Sequence, residues 1–168
     1  ELGVGGFKTD FLNRDDQTMV EFCDRVAATT AKYNMVLFFH GIFKPTGLGK
    51  RWPNVLNYEG DYALENMKWT YELQQPEYDV TTPFARCVAG PMDMNAGLME
   101  NAAGWAFRPS NDFPQTQGTR CHQLAAYVMY YAPLSMLSDA PTPYLHEMEC
   151  LLHLLQSLLR ARVEMVYI

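Results

Sequence analysis

The sequence predicts an α/β fold in which helices cover a parallel sheet of the (β/α)-barrel type. Short apolar segments alternate with amphipathic helical segments, an order that is typical of parallel sheets. The segment from Met35 to Phe39 is apolar at every position, as expected of a strand that is covered on both faces. Asp10, His40 and Glu59 each end a predicted strand, and (β/α) barrels carry their active sites at the carboxyl ends of strands.

Composition and charge narrow the class of protein. The 168 residues have the length of one domain, with 48% hydrophobic and 19% charged residues. The net charge of −6 argues against a nucleic-acid partner, since the phosphate backbone attracts clustered Lys and Arg. No apolar run approaches the roughly 20 residues that span a bilayer. The start at Glu1 is neither an initiator methionine nor a signal peptide, so we expect an excised or processed segment.

The cysteines predict free thiols. They lie far apart and include no Cys-x-x-Cys pair, which disfavours a disulfide framework and a zinc site. We therefore expect free and mostly buried thiols. The four positions are Cys23, Cys87, Cys121 and Cys150.

The first part of the chain predicts the order strand, helix, strand, strand. Side chains alternate along a strand, so Lys8 and Asp10 share one face of the first strand. Asn13 and Asp15 are candidate N-caps of the helix that follows. The predicted elements are a strand over 4–11, a helix to about residue 33, a strand over 35–40, a turn-rich loop over 44–50 and a strand over 55–59.

The pattern beyond residue 60 is less regular. Segment 76–86 is predicted to be irregular, 87–90 to be a strand, and 101–118 to be a long loop of the functional or mobile kind. An amphipathic helix is predicted over 119–131, a strand over 134–137 and a helix over 144–162. These strands are too few for a closed barrel, which needs eight strands and about 250 residues. We expect the missing strands on the N-terminal side.

Asp10 and Glu65 are the candidate catalytic pair. Two carboxylates on facing strands or loops can act as nucleophile and general acid at a sugar acetal carbon. The pattern leaves alternatives open: Asp10 is also compatible with a helix cap or a salt bridge to Lys8, and Glu65 with a solvated helical turn. Glu59 and Glu65 together offer hard oxygen ligands, which suit calcium better than zinc.

His40 and Lys8 have two interpretations each. His40 is either a core histidine bonded to a backbone carbonyl or a donor to a substrate hydroxyl. Lys8 either forms a salt bridge with Asp10 or, as in some barrel lyases, forms a Schiff base. The other three histidines fit surface or packing positions. The chain has no Gly-x-Gly-x-x-Gly, P-loop or Gly-x-Ser-x-Gly motif, so nucleotide binding and serine hydrolysis are unsupported.

Six ordered motifs extend over most of the chain. They are Gly-Phe-Lys-Thr-Asp-Phe (6–11), Phe-His-Gly (39–41), Lys-Pro-Thr-Gly (44–47), Trp-Pro-Asn-Val-Leu-Asn-Tyr-Glu (52–59), Ala-Gly-Pro-Met-Asp (89–93) and Gln-Leu-Ala-Ala-Tyr-Val (123–128). Together they closely resemble glycoside hydrolase family 97 over roughly residues 3–150. From Leu151 onward the leucine-rich sequence no longer resembles the family.

The resemblance implies a calcium-dependent, exo-acting α-glycosidase of α-linked oligosaccharides that is periplasmic or secreted in its bacterial parent protein. It implies that residues 1–168 are part of the catalytic domain, namely the second half of a (β/α)8 barrel. We therefore expect these residues to include neither the N-terminal β-sandwich nor the C-terminal β domain of the family. A half-barrel also exposes sheet edges, so the rival expectation is an inactive fragment that associates with copies of itself.

The resemblance also implies the role of each site residue. Inverting members carry a water-activating glutamate where this chain has Gly41, whereas retaining members carry a nucleophilic aspartate where it has Asp10. Glu65 matches the general acid/base, and Glu59 and Glu65 match calcium ligands. His40 and Lys8 match substrate-contacting positions. A retaining mechanism favours an α-galactosidase over an α-glucosidase.

Overall fold

The computed structural model describes residues 3–72 and 74–146, which form two compact units. The first unit comprises residues 3–63, 82–94 and 131–134. The second comprises residues 64–72, 74–81, 95–130 and 135–146. The larger part of the helix predicted over 144–162 lies outside the described residues.

A three-stranded parallel sheet, in the order β1-β2-β3, forms the centre of the first unit. The strands are β1 (Gly6–Thr9), β2 (Val36–Phe39) and β3 (Val55–Tyr58). At their carboxyl ends Thr9 pairs with Phe39, and Phe39 pairs with Tyr58. The strands predicted over 4–11, 35–40 and 55–59 are confirmed, and each observed strand is shorter than the predicted one.

Helix α1 (Gln17–Ala31) packs on the first sheet. Its buried residues Cys23 and Ala27 share one core cluster with the sheet residues Leu37 and Phe39. The prediction of Asn13 or Asp15 as the N-cap was wrong. Asp16 is the cap, because its backbone is extended and its side chain accepts a hydrogen bond from the Met19 amide at 3.0 Å.

Helix α3 (Gln75–Arg86) corrects the prediction that residues 76–86 are irregular. Pro76 is tolerated because it lies in the first turn, where amides have no partner inside the helix. Pro83 lies inside the helix and cannot donate to the Asp79 carbonyl four residues earlier. That carbonyl accepts a hydrogen bond from the Tyr130 hydroxyl at 2.9 Å instead. The short helix α2 (Leu48–Arg51) precedes it in the chain.

The strand predicted over 87–90 was also wrong. Cys87–Ala89 is a short 3-10 helix, and Gly90, at φ 135°, is its C-cap. The extended segment begins later, with a parallel bridge between Met92 and Tyr58, and continues into β4 (Met94–Ala96). A second 3-10 helix comprises Leu64–Lys68.

The second unit contains short strands and helices around its own core, which includes Leu64, Leu98 and Phe107. The predicted loop over 101–118 was wrong at its two ends, which pair in parallel as β5 and β6. Strand β7 pairs with β4, and Thr119 caps α4, so the predicted strand over 134–137 and helix over 119–131 are confirmed. The elements are β5 (Asn101–Ala102), β6 (Thr116–Gln117), α4 (Arg120–Met129), β7 (Ser135–Leu137) and α5 (Pro141–His146).

The fold class is therefore α/β with parallel strands, as the sequence predicts. The assignment to the second half of a (β/α)8 barrel stays a prediction. The three described cysteines are free, as predicted, but only Cys23 is buried, so the expectation of mostly buried thiols was wrong for them. Cys150 lies outside the described residues. No helix in the described part of the chain has the length and apolar character needed to cross a bilayer.

Candidate active site

One edge of the first sheet brings the predicted site residues of the first unit together. Asp10, His40 and Glu59 directly follow β1, β2 and β3. The parallel pairing continues one residue further, because the His40 amide donates to the Thr9 carbonyl at 2.8 Å and the Glu59 amide donates to the Phe39 carbonyl at 2.9 Å. These three residues consequently lie along the carboxyl edge of one sheet.

Asp10 is exposed at this edge and held by the turn that ends β1. Phe11 adopts a left-handed backbone, at φ 59°, and its amide donates to Asp10 Oδ1 at 2.6 Å. This bond fixes one carboxylate oxygen and leaves the residue accessible from solvent.

Gly41 leaves the space that the Asp10 carboxylate occupies. A Cβ atom at position 41 would lie 2.7 Å from Asp10 Oδ1 and 2.9 Å from the Phe11 amide nitrogen. The φ of 55° at Gly41 also lies in the left-handed region, which favours glycine. A side chain at position 41, glutamate included, would therefore collide with Asp10 as it is placed here.

Both the side chain and the backbone carbonyl of Glu59 accept hydrogen bonds. One carboxylate oxygen, Oε2, accepts a hydrogen bond from the Gly41 amide at 2.5 Å, and Oε1 lies 3.4 Å from His40 Nε2. The buried Arg86 guanidinium donates to the backbone carbonyls of Tyr58, Glu59 and Gly60. This role of Arg86 is not predictable from the local sequence, in which its segment is expected to be irregular.

A buried carboxylate, Asp93, binds the two candidate substrate-contacting cations. Asp93 Oδ2 lies 2.5 Å from His40 Nδ1 and 3.9 Å from Lys8 Nζ, and the residue is fully buried. Lys8 Nζ also lies 4.9 Å from the centre of the Phe38 ring. Asp93 ends the motif Ala-Gly-Pro-Met-Asp (89–93), but the sequence alone does not predict its role.

These contacts determine the charge of His40. The hydrogen bond that His40 donates to the Asp93 carboxylate raises the pKa of His40 to about 9, and the Glu59 carboxylate also raises it, against the opposing effects of burial and Lys8. The imidazole is therefore protonated at neutral pH. Its ring nitrogens face two carboxylates, an arrangement that neither interpretation from the sequence anticipated.

Asp61 is a half-buried carboxyl residue that sequence reasoning missed. Burial raises the pKa of Asp61 to about 8, although the Arg86 charge opposes the shift. Its Oδ1 atom is buried and has no hydrogen-bond partner in the part of the chain that the structure describes. Asp61 and Glu59 line an open pocket of about 420 Å³, together with residues of the loops after β1 and β2.

The donors around this pocket fit a hard cation. Glu59 and the unpartnered Oδ1 of Asp61 supply oxygen atoms, which calcium prefers, and neither offers sulfur or nitrogen. The residues present are thus compatible with the calcium that the resemblance implies.

Glu65 belongs to the second unit, on the 3-10 helix Leu64–Lys68. The Leu64 amide donates to Asn95 Oδ1 at 3.0 Å and anchors the start of this helix. Elsewhere in the same unit, His122 Nε2 lies 2.7 Å from the half-buried Asp79 carboxylate, which agrees with its predicted packing role.

Comparison with known proteins supports the resemblance. Residues 1–61 match the family model described as glycoside hydrolase 97. The chain is 49% identical over 150 residues to a retaining alpha-galactosidase of Bacteroides thetaiotaomicron, covering 89% of this chain and 23% of that protein. The chain thus spans about a quarter of the length of this curated relative.

Two solved structures are also similar. A beta-arabinopyranosidase has a TM-score of 0.75 and 27% identity, covering 89% of this chain and 24% of that chain. A family 97 enzyme from Pseudoalteromonas sp. strain K8, in complex with acarbose, has a TM-score of 0.67 and 29% identity. That match covers 80% of this chain and 20% of the other.

Proposed function

This chain belongs to glycoside hydrolase family 97, and we propose that it carries the catalytic carboxylates of a retaining, exo-acting α-glycosidase. The observation that carries the proposal is the exposed Asp10 carboxylate at a strand end, in the space that Gly41 leaves. A retaining enzyme needs a carboxylate that attacks the sugar directly, whereas an inverting enzyme needs room for a water between carboxylate and sugar.

In the proposed reaction Asp10 and Glu65 have separate roles. Asp10 attacks the anomeric carbon while Glu65 protonates the departing glycosidic oxygen, which gives a covalent glycosyl-enzyme. Water then attacks the same carbon, with Glu65 acting as general base, and Asp10 leaves. Two displacements retain the anomeric configuration.

The other residues of the edge bind substrate. His40 and Lys8 are cationic donors for sugar hydroxyls, and the protonated state of His40 at neutral pH supports this role. The rival Schiff-base role of Lys8 has less support, because its contacts with Asp93 and the Phe38 ring are those of a charged ammonium.

Calcium is the proposed cofactor, held by Glu59 and Glu65. When bound, it supplies positive charge that orients substrate hydroxyls and the acid carboxylate. Exhaustive treatment with EGTA should lower turnover, and Ca²⁺ rather than Zn²⁺ should restore it. Turnover that is indifferent to the chelator would contradict the calcium proposal.

The proposed substrate is an α-galactoside, since the curated relative with 49% identity is named a retaining alpha-galactosidase. An α-glucoside is the alternative within the same mechanism. The solved structure of a beta-arabinopyranosidase adds a β-arabinopyranoside to the substrates worth testing.

A panel of nitrophenyl glycosides tests the substrate class. It should include the α-galactoside, the α-glucoside, the β-arabinopyranoside and, as a control, the β-galactoside. We expect the highest kcat/KM for the α-galactoside and none for the β-galactoside. Absence of turnover across the panel, with an oligomer in gel filtration, would favour the rival of an inactive chain that associates through the exposed β1 edge, where Phe7 is 50% exposed.

A further inference from the structure

Asp93 is a buried residue of the first unit, and its carboxylate lies beside the two candidate substrate-binding cations, Lys8 and His40. We propose that Asp93 is a positioning residue that holds the His40 imidazole in one orientation, with Nδ1 toward Asp93 and Nε2 toward Glu59. The role deepens the proposed glycosidase function and rests on it, because His40 is the residue through which Asp93 would act on substrate.

The backbone around Asp93 is fixed by the first sheet. The Asp93 amide donates to the Tyr58 carbonyl at 2.7 Å, and the preceding Met92 amide donates to the Tyr131 carbonyl at 2.9 Å. The carboxylate therefore projects from a segment that is hydrogen-bonded on both sides. A group held in this way can fix the orientation of a neighbour.

Burial makes the pairing of Asp93 with a cation necessary. The residue is fully buried, and a buried carboxylate without a charged partner is strongly unfavourable. Its Oδ2 atom contacts His40 at 2.5 Å and Lys8 at 3.9 Å, so one buried anion serves both cations. His40 and Asp93 are 53 residues apart in the sequence, so their contact depends on the tertiary fold.

The contact selects between two orientations of the ring. A histidine ring that turns by 180° exchanges its nitrogen atoms with carbon atoms at nearly the same positions. Such a turn would place C–H groups against the Asp93 and Glu59 carboxylates and lose both contacts. A carboxylate on the second ring nitrogen is a common way to fix the nitrogen that does the work.

Nuclear magnetic resonance on ¹⁵N-histidine-labelled protein tests the orientation without need of activity. In the wild type we expect an exchange-protected, strongly downfield Nδ1–H proton that is absent from His40→Gln. Asp93→Asn should abolish this signal, while Asp112→Asn, at an exposed aspartate of the second unit, should leave it unchanged. A wild type without such a proton would overturn the proposal even if the Asp93 variant fails to fold. So would a signal that persists in folded Asp93→Asn.

A double-mutant cycle tests the effect on turnover. Asp93→Asn should lower kcat/KM by about tenfold, as loss of a supporting partner typically does. In the His40→Ala background the same change should cost less than about threefold, because the residue through which Asp93 acts is gone. An undiminished tenfold loss in that background would show that Asp93 has only a structural role and would contradict the proposal. If the wild type turns over no glycoside of the panel, the glycosidase function fails, while the resonance experiment still decides whether Asp93 positions His40.

Discussion

At the scale of single residues, positively and negatively charged side chains alternate along the carboxyl edge of the first sheet. Asp93 and Glu59 lie on either side of His40, and Lys8 lies beside Asp93. This arrangement stabilises the protonated imidazole, and it couples the stability of the fold to pH.

The coupling predicts a loss of stability in mild alkali. The pKa of His40 rises from 6.5 to about 9 in the folded protein, so the folded state binds this proton more tightly than the unfolded state. The contribution is fully present below pH 6.5 and disappears as the pH rises through 9, with a magnitude on the order of 3 kcal/mol. The measurement is the free energy of unfolding in urea at pH 6, 7.5 and 9, with EGTA present.

His40→Gln is the comparison for this prediction. Asp61 also favours its protonated form in the folded state, so it contributes a loss of the same sign over a lower range of pH. Because Asp61 is present in both proteins, the difference between wild type and His40→Gln isolates the histidine. That difference should shrink as the pH rises. A difference that is constant between pH 6 and 9 would contradict the pairing.

The sequence predicted only part of this network. Asp10, His40 and Glu59 were found because each ends an apolar strand, and parallel strands place their ends at one edge. Asp93, Asp61 and Arg86 were missed as site residues. Their contacts with His40 and with the residues around Glu59 depend on how distant parts of the chain pack, which no local spacing reveals.

At the scale of elements, α3 shows where local reasoning fails. The sequence predicts an irregular segment over 76–86, yet this segment forms a helix that contains Pro76 and Pro83, although proline usually breaks a helix. The structure accommodates Pro76 in the first turn of the helix. Around Pro83, the unpaired Asp79 carbonyl finds a tertiary donor in Tyr130. Strands β1, β2, β3 and β7 and helix α4 were predicted from their apolar pattern, whereas the strand predicted over 87–90 was wrong and β5 and β6 lie in a predicted loop.

The Tyr130 hydroxyl should therefore stabilise the protein through α3. Tyr130→Phe should lower the free energy of unfolding by about 1 kcal/mol, since it leaves the half-buried Asp79 carbonyl without this donor. In a Pro83→Ala background the restored amide can donate to the same carbonyl, so the cost should decrease. Urea denaturation of the four proteins measures both effects.

Tyr131→Phe is the matched control, because the neighbouring side chain is 56% exposed. It should change the free energy of unfolding little. An equal cost of Tyr130→Phe with and without Pro83 would show that the hydroxyl does not substitute for the missing amide.

At the scale of the whole molecule, the chain is an α/β protein of two compact units that spans about a quarter of its curated relative's length. Strand-helix alternation predicted the fold class, and ordered motifs predicted the family. The division into two units was not predicted, because it depends on which segments pack together rather than on composition. Asp10 lies in the first unit and Glu65 in the second, and the proposed mechanism requires both.

The nucleophile assignment of Asp10 is the central claim of this account, and one variant tests it directly. Asp10→Asn should abolish turnover of nitrophenyl α-galactoside, because the amide cannot form the glycosyl-enzyme. Added azide should restore release of nitrophenol and give a β-galactosyl azide, since the small anion attacks from the face that Asp10 occupied. The product configuration is read by proton magnetic resonance, with Asp112→Asn as the control that should keep full activity without azide. Full activity of Asp10→Asn, or an azide product of α configuration, would contradict the account.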